Sequence, residues 1–295
     1  MASIKKYLPY IALLAGILAL SFSSLFVRWA NAPGPVTAFY RMALASILLL
    51  PFYLKQPASD RKSGWKWYYF PLLGGLFTAL DHATWSIGIT STRIANATLL
   101  NNMAPLWVAL IALIFWKEKL TGKFWIGLAL TLTGAIIVLG NDLLLHPTLS
   151  GGDFISMASS LFYAGYFLVT QRSREKLSTF TYIWMVDVAA AVFLLGINLV
   201  WGQPLWGFDN LTYLAFFGSA LISQVVGYFS VGYALGHLPA SVVSPTMIAQ
   251  PVLTAILAIP LAGESIMLSQ VLGGLAVLGG IYIINTRANQ QPKSG

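Results

Sequence analysis

Residues 210–263 read NLTYLAFFGSALISQVVGYFSVGYALGHLPASVVSPTMIAQPVLTAILAIPLAG, 54 consecutive positions between Asp209 and Glu264 without one Asp, Glu, Lys or Arg. A hydrocarbon core about 30 Å thick is crossed by about 20 helical residues. This stretch therefore holds two crossings, with Gly236, His237, Leu238 and Pro239 as the turn between them. Lipid offers backbone N–H and C=O groups no partner, so each crossing must be helical.

The rest of the chain reads the same way. It is 57% apolar and 9% charged, against roughly 25% charged in soluble domains. Apolar runs broken by charges and Gly/Pro/Asn turns fall at 8–27, 35–54, 67–89, 94–116, 122–140, 152–171, 179–201, 210–235, 239–260 and 269–286. The expected fold class is an all-α membrane protein of ten transmembrane helices. Leu8 to Val27 runs 20 residues without a charge, longer than the roughly 7–15-residue apolar core of a signal peptide. It is read as a spanning helix, although Lys5 and Lys6 precede it and Ala30-Asn31-Ala32 resembles a cleavage site.

Charge placement sets the orientation. With the N-terminus inside, 14 of the 17 Lys and Arg residues fall in inside segments, Arg28 and Arg93 fall outside, and Arg41 lies within a span. Such a bias is the positive-inside pattern. It places both termini in the cytoplasm and explains the net charge of +8 without nucleic acid as a partner. The absence of cysteine excludes disulfides, thiolate metal sites and cysteine nucleophiles.

Sliding the chain against itself by 146 positions aligns Arg28 with Arg174, Ala43 and Ala45 with Ala189 and Ala191, Pro105 with Pro251, Glu118 with Glu264, and Gly127 and Gly134 with Gly273 and Gly280. One offset for proline, glutamate and glycine points to a duplication, with halves 1–145 and 146–288 and a disordered tail at 289–295. Five crossings per half is an odd number, so the second half enters the membrane upside down. Inverted repeats underlie many alternating-access transporters.

These residues resemble the EamA family of the drug/metabolite transporter superfamily. The resemblance is carried by Ala38-Phe39-Tyr40-Arg41, by Ala95 to Leu100 running on to Pro105 and Glu118, and by the repeat of that pattern from Ser241 to Pro251 and Glu264. Gly273-Gly274 and Gly279-Gly280 extend it. It implies a central cavity between the halves and the export of small metabolites; the family includes exporters of amino acids, aromatic ones among them.

Several residues are candidates for handling a solute. Pro105 and Pro251 fall near mid-membrane. Proline removes a helical hydrogen bond and clashes with the carbonyl four residues back, here Asn101 and Met247. The pair reads as hinges or gates, or else as tolerated prolines. Arg41, Asp81 and Asp187 are formal charges inside spans, which are costly and are either functional or paired. Depth along the helices favours an Arg41–Asp81 pair over an Arg41–Asp187 pair. Arg41 also suits a solute carboxylate. His82 beside Asp81 makes these two the candidates for proton coupling, with a neutral, hydrogen-bonded histidine as the alternative; Trp85 shares the face of Asp81.

Asp187 shares its level with Tyr228, Tyr163 and Gln224 and is expected to be protonated or bonded to those neutral groups. Asn101, Asn102 and Gln250 add polar groups, while Trp107, Tyr163, Tyr166 and Trp184 offer aromatic walls. Glu118 and Glu264 read as structural capping groups. The glycine pairs Gly127/Gly134 and Gly273/Gly280 suit helix packing within a repeat, or a dimer surface.

No HExxH, Walker A or GxSxG pattern supports an intramembrane enzyme, and no ring of like charge marks a channel. A nucleotide-sugar or sugar-phosphate antiporter would want several buried cations, where the spans offer Arg41. The expected partners are a small solute, the bilayer and a coupling proton, in a monomer or homodimer of a bacterial inner membrane. No metal or cofactor is called for.

Overall fold

The computed structural model describes residues 2–57, 67–92, 94–139, 150–262 and 267–288. Its regular elements are helices: α1 (Ala2–Ser21), α2 (Ser23–Ala30), α3 (Gly34–Leu54), α4 (Tyr69–Ser91), α5 (Ile94–Asn101), α6 (Ala104–Phe115), α7 (Gly122–Leu139), α8 (Gly151–Ser173), α9 (Thr179–Val200), α10 (Asn210–Gly218), a π-helix (Ser219–Tyr228), α11 (Phe229–Leu235), α12 (Ala240–Thr246), α13 (Ala249–Ala262) and α14 (Leu268–Ala288). No strand occurs among the described residues. Arg61, Lys62, Lys66, Arg93, His146, Glu264 and the tail 289–295 lie outside them.

Helix ends fall where the sequence carries stop and start chemistry. Ser150 and Asp153 form a reciprocal capping box ahead of α8, and Ser178 and Asp209 cap α9 and α10 through the backbone N–H groups of Thr181 and Thr212. Each side chain satisfies a donor that the first turn leaves without a partner. Asn31 ends α2 in the left-handed region at φ 43, which asparagine tolerates better than most residues. The turn expected at Gly236 to Pro239 separates α11 from α12.

Eight helical stretches are long and apolar enough to cross a membrane. Two further helices, α4 and α8, are long enough at 23 residues each but more polar, because they carry Asp81, His82 and the serines Ser156, Ser159 and Ser160. They are packed on one another. A Cβ added to Gly152 would lie 2.6 Å from the carbonyl carbon of Ser91, and one on Gly165 would lie 3.0 Å from the ring of Phe77. Large apolar side chains cover the outside of the bundle, among them Leu14, Ile47, Ile114 and Leu275, each more than 60% exposed. A water-facing surface does not carry so extensive an apolar belt.

Helices α7 and α14 pack on one another. A Cβ on Gly134 would stand 2.6 Å from both the Gly273 carbonyl oxygen and the Val277 nitrogen, and one on Gly127 would stand 2.9 Å from the Gly280 carbonyl oxygen. The glycine pairs expected to pack within a repeat or to form a dimer surface thus meet each other at the α7–α14 crossing.

Three long apolar stretches are interrupted by turns. The first breaks at Phe22, between α1 and α2. The stretch from Ile94 breaks at Asn102 and Met103, two residues before Pro105, and the stretch from Ala240 breaks at Met247 and Ile248, three residues before Pro251. Proline has no N–H and crowds the preceding turn, which accounts for both of the latter breaks. The stretch from Asn210 contains ten residues of π-helix, a form concentrated at functional sites.

Candidate functional site

A cavity of about 420 Å³ lies inside the bundle. Its outer rim includes Arg28 near the end of α2, Gly34 at the start of α3, Leu139 at the end of α7 and Gln270 near the start of α14. Ala2 and Ala288 lie at the opposite ends of their helical stretches, so the cavity opens on the face away from the described ends of the chain.

Arg41 stands two turns into α3 and is 4% exposed. Its Nε donates to Gln224 Oε1 at 3.0 Å and its Nη1 donates to Ser23 Oγ at 2.9 Å. The guanidinium lies 5.2 Å from the centre of the Tyr228 ring, within cation–π range. Gln224 passes the chain on: its Nε2 donates to Asp187 Oδ1 at 2.7 Å. On the other wall Asn101 Nδ2, at the end of α5, donates to Asp81 Oδ1 at 2.8 Å and to Ser159 Oγ at 2.9 Å. Three atoms of the lining are buried without a partner: Arg41 Nη2, His82 Nε2 and Ser219 Oγ. A buried polar atom left unpaired costs about 1–3 kcal/mol, which a bound polar solute would relieve.

Arg41 is not paired with Asp81. Among the described residues no ion pair joins it to a carboxylate, and its link to Asp187 runs through Gln224. Depth along a helix fixes a side chain's height but not the neighbour it faces. α3 packs against α9 and the π-helix, so Arg41 turns toward them. Asp187 starts from a different depth, and Gln224 fills the gap. His82 makes no hydrogen bond to Asp81, whose partner is Asn101.

Of the residues singled out from sequence, Arg41, Asp81, His82, Trp85, Asn101, Asn102, Tyr163, Tyr228, Gln250 and Pro251 line the cavity. Asp187 and Gln224 sit behind it, fully buried. Tyr166 is buried in the second layer, edge-on to Tyr228 with ring centres 5.5 Å apart. Trp107 is held there by its Nε1 donating to Ser160 Oγ at 2.8 Å. Pro105 is buried within α6, away from the lining. Trp184 lies elsewhere, stacked on Tyr53 at 4.0 Å and bonded to the Ser46 carbonyl.

Ser23, Thr37, Thr98, Ser219 and Thr254 also line the cavity and were not singled out. Ser21-Phe22-Ser23-Ser24, a polar cluster inside an apolar run, was the available signal for the first. Gln250 Nε2 donates to the Leu20 carbonyl at 3.2 Å and Thr254 Oγ1 to that of Ser21 at 3.0 Å. The break in the first stretch is thereby tied to the break before Pro251.

An all-helical bundle with an apolar belt around a polar cavity defines a multi-pass membrane transport protein. The EamA-like transporter family matches this chain over residues 8–140 and 150–286, and the chain belongs to that family. It is similar to the uncharacterized transporter YdfC of Bacillus subtilis (strain 168), at 26% identity over 235 residues, 75% of this chain and 72% of that protein. An uncharacterized transporter of Archaeoglobus fulgidus is 24% identical over 265 residues, 88% of this chain and 90% of its own length. The S-adenosylmethionine uptake transporter of Rickettsia felis is 26% identical over 102 residues, 35% of this chain and 34% of that one. A solved crystal structure shares the fold at a TM-score of 0.80 and 16% identity, covering 95% of this chain and 98% of its own.

Proposed function

We propose that this transporter exports small amphipathic solutes, amino acids first among them, by alternating access in a bacterial inner membrane. The observation that carries the reading is the unpartnered Arg41 Nη2 of the cavity lining, which also holds the equally unpartnered Ser219 Oγ and the Asp81 carboxyl. A guanidinium with a free N–H receives a carboxylate, and a carboxyl on the same lining receives an ammonium group. Trp85, Tyr163 and Tyr228 supply apolar walls. S-adenosylmethionine, named for the partial-length Rickettsia relative, also ends in an α-amino-acid group, which fits the same pair of charges.

The chain crosses the membrane ten times as two inverted halves, 1–145 and 146–288, with both termini cytoplasmic. The breaks near Pro105 and Pro251, matched at the 146-residue offset, support that arrangement and the hinge reading of both prolines. On this orientation the cavity faces outward. The sugar-phosphate reading is weaker, because Arg41 is the buried cation of the lining, although Arg28 stands at the rim.

The test is uptake of labelled L-tryptophan into proteoliposomes, with and without a pH gradient, against unlabelled competitors. Aromatic and large apolar amino acids should compete, and tryptamine, which lacks the carboxylate, should not. Competition by nucleotide sugars alone would overturn the reading.

A further inference from the structure

The buried polar chain behind the cavity has an uneven charge count. Arg41 is one cation; Asp81 and Asp187 are two carboxyls. The ionisable groups facing Asp187 are Arg41 from α3, Tyr228 from the π-helix, Tyr166 from α8 and Tyr182 from α9 itself. The three tyrosines carry no formal charge. Asp81, on α4, which also packs against α9, is the other carboxyl.

Donor and acceptor roles along the chain are forced. An arginine only donates, so Gln224 must turn its Oε1 to Arg41 and its Nε2 to Asp187. Asp187 Oδ1 must then accept. Its second oxygen, Oδ2, is buried without a partner, and the whole side chain is 0% exposed. Asp81, in contrast, accepts from Asn101 and lines the cavity, where an incoming solute reaches it.

A solute carboxylate docked on Arg41 would share that one cation with Asp187, while the solute's ammonium group pairs with Asp81. An uncompensated buried charge costs several kcal/mol, and protonating a carboxylate removes it. Asp187 Oδ2, buried without a partner and away from the cavity lining, can take that proton without disturbing a hydrogen bond.

We propose that Asp187 is a proton-binding site outside the cavity, and that Gln224 couples it to Arg41, so that a proton is taken up on Asp187 Oδ2 when an anionic group docks on Arg41. The coupling rests on the carboxylate-docking reading above; the proton site does not. Linkage is reciprocal, so protonation of Asp187 in turn frees Arg41 for the solute. The proton is released when the solute leaves Arg41.

Infrared spectroscopy of the full chain in liposomes tests this through the carbonyl band of a protonated buried carboxylic acid. At neutral pH that band should be lost in Asp187→Asn and kept in Asp81→Asn. Gln224→Leu removes the donor that supports the ionised form, so the band should gain amplitude. L-Tryptophan added to the wild-type chain should increase it further, and to a smaller extent in Gln224→Leu. A band that survives Asp187→Asn, or vanishes in Asp81→Asn, overturns the proton site. If Asp187→Asn does not fold, the Asp81→Asn and Gln224→Leu spectra decide: an unchanged band in Gln224→Leu overturns the coupling. None of these solute-free outcomes depends on whether tryptophan binds.

Discussion

Two parts of the chain carry the same pattern 146 residues apart and do opposite things. α5 and α6 break just before Pro105, α12 and α13 just before Pro251. Yet α5 lends Thr98 and Asn101 to the open cavity, while Ala240 to Pro245 of α12 are all buried. α12 is also bonded in place. Ser241 Oγ donates to Glu118 Oε1 at 3.0 Å, and the Ala240 N–H donates to Gln171 Oε1. A broken helix has a short half that can move on its own. One short half lines the cavity, and the other is a buried plug away from it. The difference lies in the partners each one meets, since the motif itself is shared.

The comparison breaks most visibly at the glycine crossing of α7 and α14. Overpacking a close contact costs about 1–3 kcal/mol and occasionally more. At Gly134 the obstructing atoms are backbone on two sides, which a rotamer change cannot clear. Gly134→Leu is therefore expected to give the largest loss of any substitution considered, read as a lowered Tm or as failure to insert. An unchanged Tm would contradict the close α7–α14 crossing.

Second in size is Arg41→Ala. It strands Gln224 Oε1 and Ser23 Oγ and removes the free N–H of the cavity. Loss of a charge-assisted bond made to the solute is expected to cost on the order of tenfold or more in transport. Arg41→Lys should rescue it only in part, because an ammonium cannot hold Gln224 and Ser23 and still present a donor in the same plane. Wild-type rates in Arg41→Lys would mean that Arg41 acts as a charge alone.

Third, the plug can be loosened. The chain contains no cysteine, so a single introduced thiol reports cleanly. Ser244 is 1% exposed and sits in the plug; Thr254 lines the open cavity. In a Ser241→Ala background, a cysteine at position 244 should react severalfold faster with a water-soluble thiol reagent. One at position 254 should react no faster than before. If position 244 stays protected, the Ser241–Glu118 bond is not what holds the plug.

Much of this was legible in the sequence, for stated reasons. Helix extents followed from runs without charge, and the breaks followed from Pro105 and Pro251. The intramembrane charges were visible because they are expensive there. What sequence could not supply was azimuth. The heights of Arg41, Asp81 and Asp187 were readable from residue counts, but the side to which Arg41 turns depends on which helices are neighbours. That is why an Arg41–Asp81 pair was expected and an Arg41–Gln224–Asp187 chain is found. The π-helix from Ser219 to Tyr228 was equally hidden, since no residue type announces it, and it presents Gln224 to both partners. Trp107 and Tyr166 have the composition of cavity walls, but they sit one layer too deep.

The smallest effects expected are of pH on the loops, and they differ in sign between two acids. Burial pushes the Glu118 carboxyl up from the ordinary glutamate value, offset in part by the Ser241 hydroxyl. A carboxyl raised in the folded state stabilises fully below its unfolded value, about 4.3, and loses that contribution as pH rises through the raised value. Asp209 behaves oppositely. The Thr212 backbone N–H and hydroxyl at the start of α10 hold it below the ordinary aspartate value, so its contribution is present above about 3.9 and fades as the solution is acidified. Glu118→Gln should therefore flatten the decline in stability as pH rises above about 4.3, and Asp209→Asn should flatten the loss as pH falls below about 3.9 while keeping the cap. Thermal unfolding of the two variants across pH checks both slopes. If both variants shift the same limb of the profile, Glu118 is solvated, and the plug would be less tightly packed than its burial implies.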